Sequence, residues 1–208
     1  MKERPVIFNS EMVRAILDGR KTQTRRTIAN VGSDNCIPLQ KPTKTKDGIY
    51  THVMDAPGHG LCPFGQVGDR LWVRETWARY NIDQDAHDMA YRATTPDDWP
   101  KEGRWRPSIH MPRWASRITL EITAVRVERL NDISEEDAKA EGVKPAGDML
   151  PDYSDTFLTP KGDFATAKVA FQRLWQSIYG VDSWNANPWV WVIEFRRVVD
   201  SAREVERG

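Results

Sequence analysis

The segment Arg117–Leu130 constrains the fold more than any other part of the chain. Its first apolar residues occupy every second position: Ile118, Leu120 and Ile122. This is the period of a β-strand that buries one face. Beyond Thr123-Ala124 the apolar positions shift by one residue, to Val125 and Val127. The shift predicts a β-bulge, which lets a long strand bend as the wall of a curved sheet must.

Shorter patterns on both sides of this strand predict a mixed fold. Helical spacing and capping residues predict three helices, over about Ser10–Asp18, Ser134–Glu141 and Asp163–Tyr179. Alternating or continuous apolar residues predict strands at Leu71–Trp77 and Trp189–Val198, the latter central, and a short one near Met89–Arg92. Helices and strands do not alternate regularly, so we expect an α+β fold with a curled sheet.

The 208 residues fit a single domain with insertions. We place the domain at residues 1–199 and expect irregular insertions at about 30–68, 78–112 and 143–162. Residues 200–208 form a charged tail.

Composition limits the functional classes. The formal net charge is zero, so any affinity for nucleic acid must come from a local basic patch. Two cysteines provide no disulfide framework, and no apolar run approaches the roughly 20 residues that span a bilayer. The first residues do not resemble a signal peptide. These features predict a soluble, cytoplasmic protein without a membrane partner.

The first predicted helix leads directly into Gly-Arg-Lys-Thr-Gln-Thr-Arg-Arg, at residues 19–26. Further along the chain come Gly-Asp-Arg-Leu-Trp-Val at 68–73, Ile-Ser-Glu-Glu at 133–136 and Val-Ile-Glu-Phe at 192–195. This order resembles the ASCH domain of the PUA-like superfamily. Residues 12–26 and 112–120 are most similar to ASCH proteins of bacteriophages and prophages. The resemblance covers about half of the chain and implies a curled PUA-like β-barrel with two or three flanking helices and long loop insertions.

The resemblance also implies a reaction. Minimal bacterial ASCH proteins hydrolyse N4-acetylcytidine to cytidine and acetate. We expect this chain to use no cofactor and no metal. Their catalytic lysine and threonine correspond to Lys21 and Thr24, and their glutamate corresponds to Glu141. Glu135 and Glu136 remain alternatives for the glutamate.

Thr24 is a weak nucleophile unless a neighbouring base accepts its proton. Lys21 can be that base if burial and nearby cations lower its pKa. A regular strand through residues 21–26 would point Lys21, Gln23 and Arg25 to one face and Thr24 to the other. Catalysis by this pair therefore requires a turn or bulge between Lys21 and Thr24.

A second cluster is rich in arginine and tryptophan. Trp114 lies between Arg113 and Arg117, and with Arg20 and Arg26 these residues are candidates for binding a substrate or nucleic acid. Arginines neutralise phosphates and tryptophans stack on bases. The alternative is that Trp114 packs on the domain and the arginines are solvated.

Three functional hypotheses follow. The first is an enzyme that hydrolyses a modified nucleoside, and the second is a non-catalytic module that binds RNA or single-stranded DNA. The third is a phage accessory protein whose loops contact an unidentified protein. His52, His59 and Cys62, with Cys36 upstream, match no standard zinc spacing, and we expect no metal there.

Overall fold

The computed structural model describes residues 1–29, 39–45, 48–52, 57–58, 60–79 and 89–198. Within them helices and strands are mixed, which confirms the α+β class. The helices are α1 (Ser10–Leu17), α2 (Glu135–Ala140), α3 (Ala167–Tyr179) and α4 (Asp182–Asn185). The strands are β1 (Glu3–Ile7), β2 (Gln23–Thr27), β3 (Leu39–Thr45), β4 (Gly48–His52), β5 (Arg70–Arg74), β6 (Trp77–Arg79), β7 (Met89–Tyr91), β8 (Thr119–Arg129), β9 (Lys144–Pro145), β10 (Phe157–Leu158), β11 (Phe164–Ala165) and β12 (Trp189–Val198).

The main sheet has five strands in the order β1-β5-β8-β12-β2. β1 and β5 are parallel and the other neighbours are antiparallel. No backbone ladder joins β1 to β2 in the described part of the chain, so the expectation of a closed barrel is wrong and the sheet is open. Pro5 helps to keep β1 at the edge, because proline has no N–H to offer another strand.

The predicted bulge is present in β8. Glu194 of β12 pairs with Ala124, but the next residue, Phe195, pairs with Ile122, so Thr123 is the extra residue. The apolar residues before and after the bulge all contact one hydrophobic core: Ile118, Leu120, Ile122, Val125 and Val127. The shift seen in the sequence therefore keeps one face of β8 apolar along its whole length.

Both faces of the sheet are covered, as the apolar sequence of β12 predicted for a central strand. Trp191 and Ile193 lie in a first core with Phe8 and α1. Val190 and Val192 point the other way, into a second core with the buried face of α3. β12 pairs with β8 on one side and β2 on the other.

Two helices begin where their capping residues predicted. The Asn9 side chain accepts a hydrogen bond from Met12 N at the start of α1, and Ser134 does the same for Asp137 N at the start of α2. α3 begins at Ala167, later than predicted, because Phe164 and Ala165 pair with β10 instead. A preference for helix in the sequence cannot reveal such a tertiary pairing.

The stretches expected to be irregular contain short sheets. β3 pairs with β4 and β6 with β7, while β10 pairs with both β9 and β11. The strands from β6 to β11 other than β8 have only two or three residues. β7 confirms the short strand predicted near Met89–Arg92, whereas the others of this group are too short to produce a detectable alternation.

Candidate active site around Lys21 and Glu141

The connection between α1 and β2 places Lys21 just before the regular strand. α1 ends at Leu17, and Gly19 adopts a positive φ of 76° as helix-terminating glycines do. Lys21 N then donates to Ala15 O at 2.9 Å, and Thr22 N donates to Ala140 O at 2.9 Å. These bonds tie the segment to both α1 and the end of α2, where Glu141 follows.

Lys21 and Glu141 form a buried ion pair. Lys21 Nζ donates to Glu141 Oε2 at 2.8 Å and to the Glu141 backbone oxygen at 2.8 Å. The two side chains are only 1% and 3% exposed. Burial lowers the pKa of Lys21 below its usual 10.5, and the Glu141 carboxylate opposes this shift without cancelling it. The lysine is thus poised to lose its proton more readily than an exposed one.

Arg25 holds the other oxygen of the same carboxylate. Its Nη1 donates to Glu141 Oε1 at 3.1 Å, while Nη2 contacts Glu128 and donates to Asp137 Oδ2 at 2.9 Å. The arginine side chain is completely buried. A planar guanidinium with several partners fixes Glu141 in one orientation, with Oε2 directed to Lys21.

Asp137 completes this network on α2. It also accepts a hydrogen bond from Arg126 Nη2 at 2.8 Å. Burial alone would raise its pKa, but hydrogen bonds and positive charge from Arg126 and Arg25 outweigh burial and lower the pKa below 3.8. Asp137 therefore stays ionised beside the two arginines.

Alternation along β2 directs the side chains of the motif to two opposite faces of the strand. Gln23 donates to Asp137 O at 2.7 Å, so Gln23 and Arg25 face α2. Arg26 faces the opposite way, with its guanidinium carbon 5.4 Å from the centre of the Phe8 ring. Thr24 is buried and, by alternation, lies on the face of Arg26.

The Lys21 side chain contacts groups on both faces of β2. Its Nζ lies 5.7 Å from the centre of the same Phe8 ring that Arg26 covers. Because regular pairing of β2 starts at Gln23, strand alternation does not fix the direction of Lys21. The backbone at Lys21 and Thr22 therefore lies in the irregular connection between α1 and β2 and does not follow strand alternation.

A cavity of about 300 Å³ opens beside this pair. Glu141 and Arg20 line it, together with apolar side chains of α1 and α3 that include Met12 and Leu174. Lys21 and Thr24 are not among its lining residues. Of the predicted catalytic residues, Glu141 alone borders the cavity, and Lys21 is joined to it by the ion pair.

Gly142 permits this close arrangement. Its φ is +88°, and a Cβ atom there would lie 2.7 Å from Lys21 Cβ and 2.9 Å from Ala15 Cβ. Its carbonyl oxygen accepts a hydrogen bond from Arg20 Nη1 at 3.0 Å. Glycine is required both for the backbone conformation and for the contact with Lys21.

The predicted binding residues are divided among different places. Arg20 is at the cavity, whereas Arg26 donates to Ile7 O at 2.7 Å. Arg113 is paired with Glu3 at 2.9 Å, and Arg117 holds both carboxylate oxygens of buried Glu75 at 2.9 and 3.0 Å. Trp114 is 57% exposed.

Sequence reasoning did not assign roles to Arg25, Asp137 and Gly142. Alternation within residues 21–26 placed Arg25 on the face of Lys21, but its carboxylate partners come from distant parts of the chain. A glycine after a predicted helix signals its end, and nothing local indicates that Lys21 packs against it.

The described residues contain no group of three histidine, cysteine or acidic side chains arranged to hold a metal ion. Cys62 is buried, and the side chains of Cys36, His52 and His59 lie outside the described residues. In the part of the chain that is described, no helix has the length and apolar character needed to cross a membrane.

In comparisons with known proteins, no family model, no curated protein and no solved structure matches this chain.

Proposed function

We propose that this protein is an ASCH-type hydrolase that cleaves the amide of N4-acetylcytidine or a related N4-acylated cytidine. The observation that carries the proposal is the buried Lys21–Glu141 pair at the wall of a cavity of about 300 Å³. Small-molecule sites occupy about 300–1,000 Å³, so this cavity suits a ligand the size of an acylated base. Its mixture of charged and apolar side chains is appropriate for a polar aromatic ligand.

The proposed reaction uses Lys21 and Thr24 of the motif together with Glu141. The reaction requires the acyl group to reach Thr24, which lies beyond the residues that line the cavity. Neutral Lys21 then takes the proton of Thr24 as the threonine oxygen attacks the acyl carbon. The proton then passes through Glu141 to N4, and the carbon–nitrogen bond breaks to release cytidine. Water hydrolyses the threonine ester, which yields acetate and restores the hydroxyl. The lowered pKa of Lys21 and its hydrogen bond to Glu141 support this order of proton transfers.

The test uses chromatography to measure the release of cytidine from N4-acetylcytidine. We expect Lys21→Met and Glu141→Gln to reduce the rate by about 100-fold or more, the usual loss when a proton-transfer group is removed. Thr24→Val removes the hydroxyl at almost constant volume and should have a similar effect, whereas Thr24→Ser should retain activity.

Lys139→Met is the matched control, because Lys139 is on α2 but exposed and paired with Asp155. It should match the wild type. If the wild type releases cytidine no faster than buffer, the proposal fails for this substrate. Equal rates in wild type, Lys21→Met and Thr24→Val would place the chemistry elsewhere.

A further inference from the structure

An exposed surface away from the cavity consists of Arg79, Trp77, Arg106 and Trp114, here called the Arg–Trp surface. Trp77 and Arg79 are two residues apart on β6 and therefore share a face. Arg106 pairs with Trp77 through two backbone hydrogen bonds, of 3.2 and 2.7 Å. Trp114 belongs to a short 3-10 helix, Arg113–Ala115, that packs over this face.

The two aromatic rings contact each other, and each carries one guanidinium group. The Trp114 ring meets Trp77 edge to face, with centroids 5.8 Å apart and planes at 88°. The guanidinium carbon of Arg79 lies 5.5 Å from the Trp114 ring, and that of Arg106 lies 5.3 Å from the Trp77 ring. Trp77 is only 2% exposed, so it is the support, and Trp114, at 57%, is the ring presented to solvent.

The charges of this surface are not neutralised within the described residues. Arg79 and Arg106 are exposed and form no ion pair there. Arg113 and Arg117, by contrast, are paired with Glu3 and Glu75. The positive charge that this surface presents is therefore that of Arg79 and Arg106.

We propose that the Arg–Trp surface binds single-stranded nucleic acid. Trp114 stacks on an unpaired base, and Arg79 and Arg106 contact phosphates on either side of it. An exposed, supported ring with one arginine beside it and a second on the supporting tryptophan offers a stacking surface and phosphate contacts, which are what a single strand presents as bases and phosphates. An acidic peptide would satisfy the arginines but would leave the exposed indole face without a matching group. The binding proposed for this surface does not depend on the hydrolytic reaction at Lys21.

The test measures binding of fluorescein-labelled single-stranded RNA and DNA of about 12 nucleotides by fluorescence anisotropy. Trp114→Ala should weaken binding by about 5- to 100-fold, the range for loss of one stacked base. Trp114→Phe, which keeps an aromatic ring, should weaken it much less. Arg79→Gln and Arg106→Gln should each reduce the slope of log affinity against log salt by about 0.7 between about 50 and 200 mM salt.

Arg196→Gln is the control, because Arg196 is an exposed arginine that is paired with Glu121 on the main sheet. It should leave affinity and salt slope unchanged. Since Trp114 covers Trp77, thermal unfolding of each variant establishes that Trp114→Ala remains folded, and the two arginine variants test the surface without altering the tryptophans.

Three results would overturn the proposal. The first is absence of binding to either strand at the lower salt concentration. The second is binding that is the same in Trp114→Ala, Arg79→Gln and wild type. The third is equal affinity for a poly-glutamate peptide with the same dependence on both arginines and none on Trp114, which would assign the surface to acidic proteins.

Discussion

Lys21 is subject to two opposing influences on its charge. Burial disfavours the ammonium form, while Glu141 at 2.8 Å favours it. A buried pair of this kind contributes little net stability, since desolvation offsets most of the attraction. Removing one partner is strongly destabilising, because it leaves an uncompensated charge in the interior. The pair is thus weak evidence of stabilisation when taken as a whole, although each partner depends on the other.

The net lowering of the Lys21 pKa predicts how stability changes with pH. In the folded protein Lys21 loses its proton below 10.5, while in the unfolded chain it keeps the proton up to that pH. The unfolded state then binds more protons, so the wild type gains stability as pH rises through this window. Relative to Lys21→Met, we expect a gain of up to about 1.4 kcal/mol per pH unit in urea unfolding between the folded pKa and 10.5.

Lys139 supplies the control for this measurement. Its hydrogen bond to Asp155 raises the pKa of Lys139 above 10.5, so its contribution is complete below that pH and is lost only above it. The difference between wild type and Lys139→Met should therefore be flat over the window in which the Lys21 difference rises. A Lys21 difference that falls with pH would mean that Glu141 dominates and that the lysine is not available as a base.

At the level of elements, the site depends most on the turn after α2, and there on the backbone conformation of Gly142. Gly142→Ala would introduce a side chain at φ +88° and place its Cβ 2.7 Å from Lys21 Cβ. We expect a loss of about 2–4 kcal/mol in the free energy of unfolding, from backbone strain together with overpacking. Hydrolysis should fall as well, because Lys21 must move away from its place beside Glu141.

Gly162→Ala separates these two causes. Gly162 has nearly the same φ, +84°, but no atom lies within 4 Å of the position that a Cβ would occupy. It should lose only about 1–2 kcal/mol, the cost of a left-handed conformation for a residue other than glycine. Equal losses in the two variants would contradict the packing explanation for Gly142.

The elements differ in how far the sequence predicts them. α1, α2, β12 and the bulge at Thr123 follow from capping residues and apolar spacing, which are local. β10 and β11 do not, because two residues cannot show a period. Within the site, the limit is the separation of the residues along the chain. The contiguous motif identified Lys21 and Thr24, but the convergence of Glu128, Asp137 and Glu141 on Arg25 exists only after folding.

In the molecule as a whole, side-chain contacts join elements of the open sheet that backbone hydrogen bonds do not pair. One such contact is the Arg25 network, which joins β2 to Glu128 on β8 and Asp137 on α2. Another is at the two sheet edges, where Arg26 of β2 donates to Ile7 O of β1 and covers Phe8. The Arg26 contact connects the two edges where a closed barrel would have a ladder.

Arg26→Met tests whether that second contact holds β1 in place. Methionine keeps the apolar stem but removes the hydrogen bond to Ile7 O, which contributes about 1 kcal/mol. The amide of Phe8, which donates to Arg74 O at 3.2 Å, should then exchange with deuterium about 5-fold faster because β1 opens more often. The amide of Ile122, bonded to Asp69 O in the sheet interior, should be unaffected.

Arg196→Met should change neither amide, since Arg196 is paired with Glu121 on the interior strand β8. Unchanged exchange at Phe8 in Arg26→Met would show that β5 alone holds β1, and that the edges of this sheet are independent of one another.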